Sequence, residues 1–137
     1  MKLHRYRTMA GKANIYEVVY DDGNPVRVMN VKGTYQSATY LDDDCYELVF
    51  GYHRAYNALF QAGKPIQSVA MLGGGGFSYP KYLISHYPSL SVDVVEIDPM
   101  VVSIAERWFY VDRLMAEFDL DETERLGVFV QDALEFL

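Results

Sequence analysis

The chain has 137 residues, half of them apolar and 23% charged, and carries a formal net charge of −7. That is the material of one globular domain with a core, and it excludes a disordered tail, a collagen-like chain and a coiled coil. Phosphate backbones and anionic membranes are drawn by Lys and Arg, so the acidic balance predicts no nucleic-acid partner and no membrane partner.

In chain order, the opening MKLHRYRTMAGK has a charged start with no apolar segment behind it. No run of about 18 apolar residues follows anywhere, so neither a signal peptide nor a membrane span is expected. Residues 15–20 (IYEVVY) and 25–31 (PVRVMNV) are β-rich and flank Asp21-Asp22-Gly23-Asn24, where Gly and Asn tolerate the positive φ of a tight hairpin. The sequence thus divides into a small β-hairpin unit over 1–40 and a nucleoside-binding portion over 41–137, argued below. Tyr46, Leu48, Val49, Tyr52, Tyr56, Leu59 and Phe60 recur mainly every three or four residues, which predicts an amphipathic helix. Asp42, Asp43 and Asp44 then sit at its N-terminus, where carboxylates meet free N–H groups, a plainer reading than a metal site. Cys45 is the only cysteine and cannot close an internal disulfide, which fits a reducing compartment. The chain is therefore read as cytoplasmic, with Cys45 a packing residue.

From residue 68 the pattern alternates. Strands are expected over 68–72 (SVAML), 91–97 (SVDVVEI) and 127–131 (GVFVQ), with helices over 77–87, 99–109 and 132–137, and a solvated connector with a short helix over 119–125. Pro80 is tolerable only in a first helical turn. Strand, helix, strand, helix, strand is the signature of parallel βαβ units, hence an α/β, Rossmann-like fold.

In such a sheet the carboxyl ends of successive strands share one edge. Three segments meet there: Gly73, Gly74, Gly75 and Gly76 after the first strand, Glu96-Ile97-Asp98 after the second, and Asp132 after the third. Glycines let the backbone approach a ligand, and an acidic residue 20 positions beyond Gly76, Glu96, can accept both hydroxyl hydrogens of a ribose. An acceptor at Asp132 can read an exocyclic amine of adenine. Singly, each has a plainer reading: a flexible turn, a cap for the helix at Pro99, another helix cap. Together they point to a nucleoside site, while leaving open which nucleoside. The run Gly73-Gly74-Gly75-Gly76-Phe77-Ser78 lacks the third glycine of a dinucleotide fingerprint. Trp108 is read as core, and Phe77 and Tyr79 as the aromatic residues closest to a ligand.

Gly33-Thr34-Tyr35-Gln36-Ser37 after a hairpin, VAMLGGGG at 69–76, VVEIDPMVVSIAERWF at 94–109 and VQDALEFL at 130–137 together resemble the spermidine synthase family and its relatives among the class I S-adenosylmethionine-dependent methyltransferases. The resemblance covers 33–137. It implies Glu96 and Ile97 at the ribose, Asp132 and Ala133 near the adenine, the glycines under the amino-acid tail, Gln36 closing over the nucleoside, and a homo-oligomer, commonly a dimer. Two departures bear on the reaction. Aminopropyltransferases read G-G-G-D-G, whose aspartate holds the amine of decarboxylated S-adenosylmethionine, and here Gly76 takes its place. The family's Tyr-His-Glu is represented by Cys45-Tyr46-Glu47 without the histidine, and His53 is read as a partly buried helix residue. The expectation is a transferase using S-adenosylmethionine or its decarboxylated form, without a metal. It would move a methyl group to an acceptor that is a polyamine, a small molecule or a protein side chain. The alternatives are aminopropyl transfer to putrescine, in polyamine biosynthesis, and a non-catalytic oligomerisation module. Family members continue past the third strand to the aspartate that acts as base, so the chain is expected to be a portion of a longer protein or a half completed by a partner, and no catalytic residue is assigned.

Overall fold

Four strands, β1 (His4–Thr8), β2 (Gly11–Val19), β3 (Pro25–Val31) and β4 (Thr34–Tyr40), form an antiparallel meander in chain order, in a computed structural model that describes residues 2–137. The expected turn is present: Gly23 lies at φ +82° and donates its N–H to Tyr20 O at 2.8 Å, and Asn24 N donates to Asp22 Oδ1 at 2.9 Å. The hairpin is larger than expected, because β1 and β4 add to its two edges. Lys32 and Gly33, both at positive φ, make the two-residue turn into β4 that matches strand twist. One face of the sheet packs Ala13, Ile15, Met29 and Val31 on Ile104 and Phe109; the other packs Val26, Val28 and Ala38 on Val49.

The helix expected from Tyr46 to Phe60 does not form. Asp42–Asp44 is a 3₁₀ turn with no side-chain cap, residues 45–50 are irregular, α1 is only Gly51–Ala55, and a second 3₁₀ turn takes Tyr56–Gln61. Tyr46 and Leu48 enter the core beneath the second sheet, while Val49 enters the core against the first. Irregular backbone can send neighbouring side chains to opposite sides, which a helix does not do.

The second half is β5 (Ser68–Leu72), α2 (Ser78–His86), β6 (Ser91–Val95), α3 (Pro99–Trp108), α4 (Val111–Glu117), α5 (Leu120–Thr123), β7 (Leu126–Phe129) and α6 (Ala133–Phe136). The three strands are parallel in the order β5-β6-β7, as the βαβ pattern requires. β6 stops at Val95, leaving Glu96, Ile97 and Asp98 as a loop at the strand's carboxyl end, and α4 was not foreseen. α2 and α4 bury Leu83, Ile84 and Leu114 with Val92 and Val94 of β6; each such side chain is worth about 1.5–3 kcal/mol. Pro99 opens α3 behind its N-cap Asp98, and Pro80 falls in the first turn of α2. Among the described residues no helix is long and apolar enough to cross a membrane.

Candidate functional site

The carboxyl edge of the parallel sheet faces the first sheet across a cleft of about 450 Å³. On the parallel-sheet side Gly74 N and Gly75 N donate to Glu96 Oε1 at 3.1 and 3.4 Å, and Asp98 N donates to Glu96 Oε2 at 3.0 Å. Three backbone donors thus hold one carboxylate at the mouth of the strands. Gly73 turns the chain at φ +85°, and no atom lies within 4 Å of where its Cβ would stand. Gly76 is glycine for a different reason. Its N–H donates to Ser37 Oγ at 2.6 Å, and a Cβ would meet Ser37 Cβ at 2.8 Å and Phe109 Cδ1 at 2.9 Å.

On the first-sheet side the cleft is walled by Thr8, Met9 and Ala10 at the β1–β2 turn and by Gln36 and Ser37 of β4. Its far end is aromatic: Tyr52, His53, Tyr56 and Tyr79 line it, with ring centroids 4.2 Å apart for Tyr52–His53 and 5.2 Å for Tyr56–Tyr79. His53, in α1, is 8% exposed, more buried than expected, and its Nδ1 is buried without a hydrogen-bond partner among the described residues. Burial lowers its pKa from 6.5, which favours the neutral ring. Tyr79 donates its hydroxyl to Asn57 Oδ1 at 2.8 Å, and burial pushes its phenol up to about 12.

Of the residues singled out from sequence, the cleft gathers Gln36, Gly73, Gly74, Gly75, Glu96 and Ile97. Gly76 lies behind the loop against Ser37. Asp132 N-caps α6, accepting from Leu134 N at 2.8 Å, and neither it nor Ala133 lines the cleft. Tyr79 lines it, whereas Phe77 is fully buried beneath Gly74. Trp108 packs away from the cleft, its ring tilted against that of His4 and its Nε1 donating to Tyr6 Oη at 2.7 Å. Cys45 is buried, and burial raises its pKa. The described residues contain no group of three His, Cys, Asp or Glu side chains able to hold a metal. Sequence reasoning found Tyr79 but missed Tyr52, His53 and Tyr56 of the aromatic end, and missed the hairpin tip. The adjacent pair Tyr52-His53 was a signal for the first; nothing in residues 8–10 marks them as a cleft wall.

No protein-family model matches the chain. It is 37% identical over 75 residues to a polyamine aminopropyltransferase of Vibrio vulnificus, covering 55% of this chain and 25% of that one. It is 29% identical over 70 residues to the human eEF1A lysine and N-terminal methyltransferase, covering 51% and 9%. In structure it superposes on a probable spermidine synthase from Corynebacterium glutamicum with a TM-score of 0.72 and 20% identity, over 99% of this chain and 47% of the other. A spermidine synthase in complex with the transition state analogue AdoDATO gives a TM-score of 0.61 at 17% identity, over 97% and 41%. Human methyltransferase-like protein 13, in complex with SAH, gives 0.51 at 24% identity, over 64% and 39%. The fold is therefore that of the spermidine synthases and Rossmann-like methyltransferases, and this chain spans less than half the length of each of these relatives.

Proposed function

We propose that this chain, a relative of the polyamine aminopropyltransferases with the spermidine synthase fold, holds S-adenosylmethionine or a closely related nucleoside in its cleft and serves methyl transfer. One observation carries the reading: Glu96 is fixed by three backbone N–H groups at the edge of an open cleft. A carboxylate so held can accept two vicinal ribose hydroxyls without further ordering. The residues fit such a ligand in size too, since about 450 Å³ lies within the usual range of small-molecule sites. Gln36 stands opposite Glu96 across the cleft, and the glycine loop supplies backbone to the amino-acid tail. Asp132 and Ala133 belong to the proposal only as the adenine side reached from the third strand. The division into a β unit of residues 1–40 and a nucleoside-binding portion of residues 41–137 goes with it.

Methyl transfer is preferred to aminopropyl transfer because of position 76. An amine-binding aspartate there has no room, and of the two carboxylates in the cleft Asp98 is taken by Met9 N and Met100 N while Glu96 is assigned to the ribose hydroxyls. A free ammonium would find no spare anion, whereas the intact methionine tail carries its own carboxylate beside its amine. The sulfonium, when bound, supplies an electrophilic carbon and its own leaving group, so the protein's part is to position the acceptor and exclude water. The neutral aromatic end formed by Tyr52, His53, Tyr56 and Tyr79 suits that part.

Calorimetric titration with S-adenosylmethionine, decarboxylated S-adenosylmethionine and methylthioadenosine tests the reading. Binding of the intact form, lost in Glu96→Ala, is the expected result. Preference for the decarboxylated form would favour aminopropyl transfer, and no binding of any of the three would leave the non-catalytic module.

A further inference from the structure

We infer that the tip of the β1–β2 hairpin is a movable wall of the cleft and that Asp98 is the positioning residue that latches it shut. The inference rests on the nucleoside reading of the cleft. Met9 N, at the tip, donates to Asp98 Oδ2 at 2.7 Å, across 89 residues of sequence. The other oxygen, Oδ1, accepts from Met100 N at 2.9 Å and caps α3, and the Asp98 backbone N–H holds Glu96. One residue, 6% exposed, therefore joins the hairpin tip, the start of α3 and the carboxylate proposed to hold the ribose.

The tip is built to move as a short segment. Below it, β1 is anchored on α3 by the tilted His4–Trp108 ring contact at 4.1 Å and the bond from Trp108 Nε1 to Tyr6 Oη. Above Thr8 such anchoring ceases. Gly11 turns the chain at φ +127°, Thr8 Oγ1 closes the turn onto Gly11 O at 2.6 Å, and the Met9 side chain is 68% exposed. Among the described residues only the amide-to-carboxylate hydrogen bond then ties Met9 to the parallel-sheet half, and Thr8, Met9 and Ala10 all line the cleft. A charge-assisted bond of this length holds the wall closed without making it rigid. Opening it widens the cleft beside Glu96, so the bond is set to govern how fast a nucleoside enters and leaves.

Two variants break the latch from opposite sides. Asp98→Ser keeps a side-chain cap for α3 but is too short to reach Met9. Met9→Pro removes the donor and leaves Asp98 intact; Thr8 belongs to β1, whose extended backbone suits the residue before proline, and Met9 is not at positive φ. Dissociation of SAH is followed by stopped flow in wild type and both variants, with denaturant unfolding as the control and amide exchange of residues 8–11 measured on the ligand-free protein. The expected result is SAH dissociation about tenfold faster or more in both variants, unfolding midpoints close to wild type, and tip amides in Asp98→Ser exchanging about tenfold faster. SAH dissociation within about twofold of wild type in both variants would overturn the inference. If wild type binds no SAH, the nucleoside reading fails on its own, and the latch is decided by exchange: tip amides as fast in wild type as in Asp98→Ser overturn it, and protection lost only in the variant sustains it.

Discussion

Glu96 and Gly76 show how much of the site rests on single side chains. Glu96→Gln keeps the size of the residue and removes the charge that three N–H groups share and that the proposed ribose hydroxyls would meet. Hydrogen bonds to a charged group are worth about 1.5–3 kcal/mol, so nucleoside affinity is expected to fall about ten- to a hundredfold, read as Kd by calorimetry, with the fold retained. Gly76→Asp puts an aminopropyltransferase-like aspartate in the loop. Its Cβ meets Ser37 and Phe109 below 3 Å, and overpacking of that kind costs about 1–3 kcal/mol. Denaturant unfolding is expected to show that loss, without any gain in binding of decarboxylated S-adenosylmethionine. The place of Glu96 at the cleft was legible in the sequence because it follows from spacing after the glycines. Ser37 was not: its place against Gly76 depends on β4 meeting the loop, 39 residues away.

Elements were legible where local pattern and tertiary demand agree. α3 begins at Pro99 behind an aspartate cap, as its sequence states, and the strands beneath Gly73 and Glu96 lie where their apolar runs are. β4 was hidden because its buried residues are Ser37, Ala38 and Thr39. Two are polar, and they are buried because partners satisfy them: Ser37 Oγ takes Gly76 N, while Thr39 Oγ1 donates to Cys45 O at 3.2 Å and accepts from Lys81 Nζ at 3.1 Å. The aromatic stretch from Tyr46 to Phe60 misled in the other direction, since a three-to-four spacing also arises when irregular chain feeds two cores. At the end of α2, Arg125 donates to the carbonyls of Ile84 and Tyr87 and to that of Leu90 in the turn after it, at 2.7–3.0 Å. It supplies the positive charge that a helix C-terminus favours. Arg125→Ala is expected to lower unfolding free energy by about 2 kcal/mol, seen as a lower denaturant midpoint at unchanged slope.

At the scale of the whole molecule, Lys81 is one of the residues that join the two sheets. It projects from α2, is 1% exposed, and donates to Thr39 Oγ1 of β4 and to Phe109 O just past α3 at 2.7 Å. Burial lowers its pKa from 10.5 to about 7; Arg27 pushes the same way and Cys45 opposes. Between those two values the unfolded chain binds a proton that the folded chain does not, so Lys81 contributes stability that rises with pH from about 7 upward. The thiol of Cys45, raised by burial, works in the opposite sense once pH approaches its ordinary value of 9.0. Denaturant midpoints compared at about pH 7 and pH 8.5 are therefore expected to rise in wild type and to change less in Lys81→Met. Sequence by itself determined the parallel strand–helix alternation, the glycine loop and the acid that follows it, because these depend on periodicity and on residues near one another in the chain. Only the tertiary structure decided that β4 and the β1–β2 tip form the opposite wall, that His53 enters the cleft, and that Ser37 and Phe109 close position 76, because each depends on where separate elements meet when the two sheets pack.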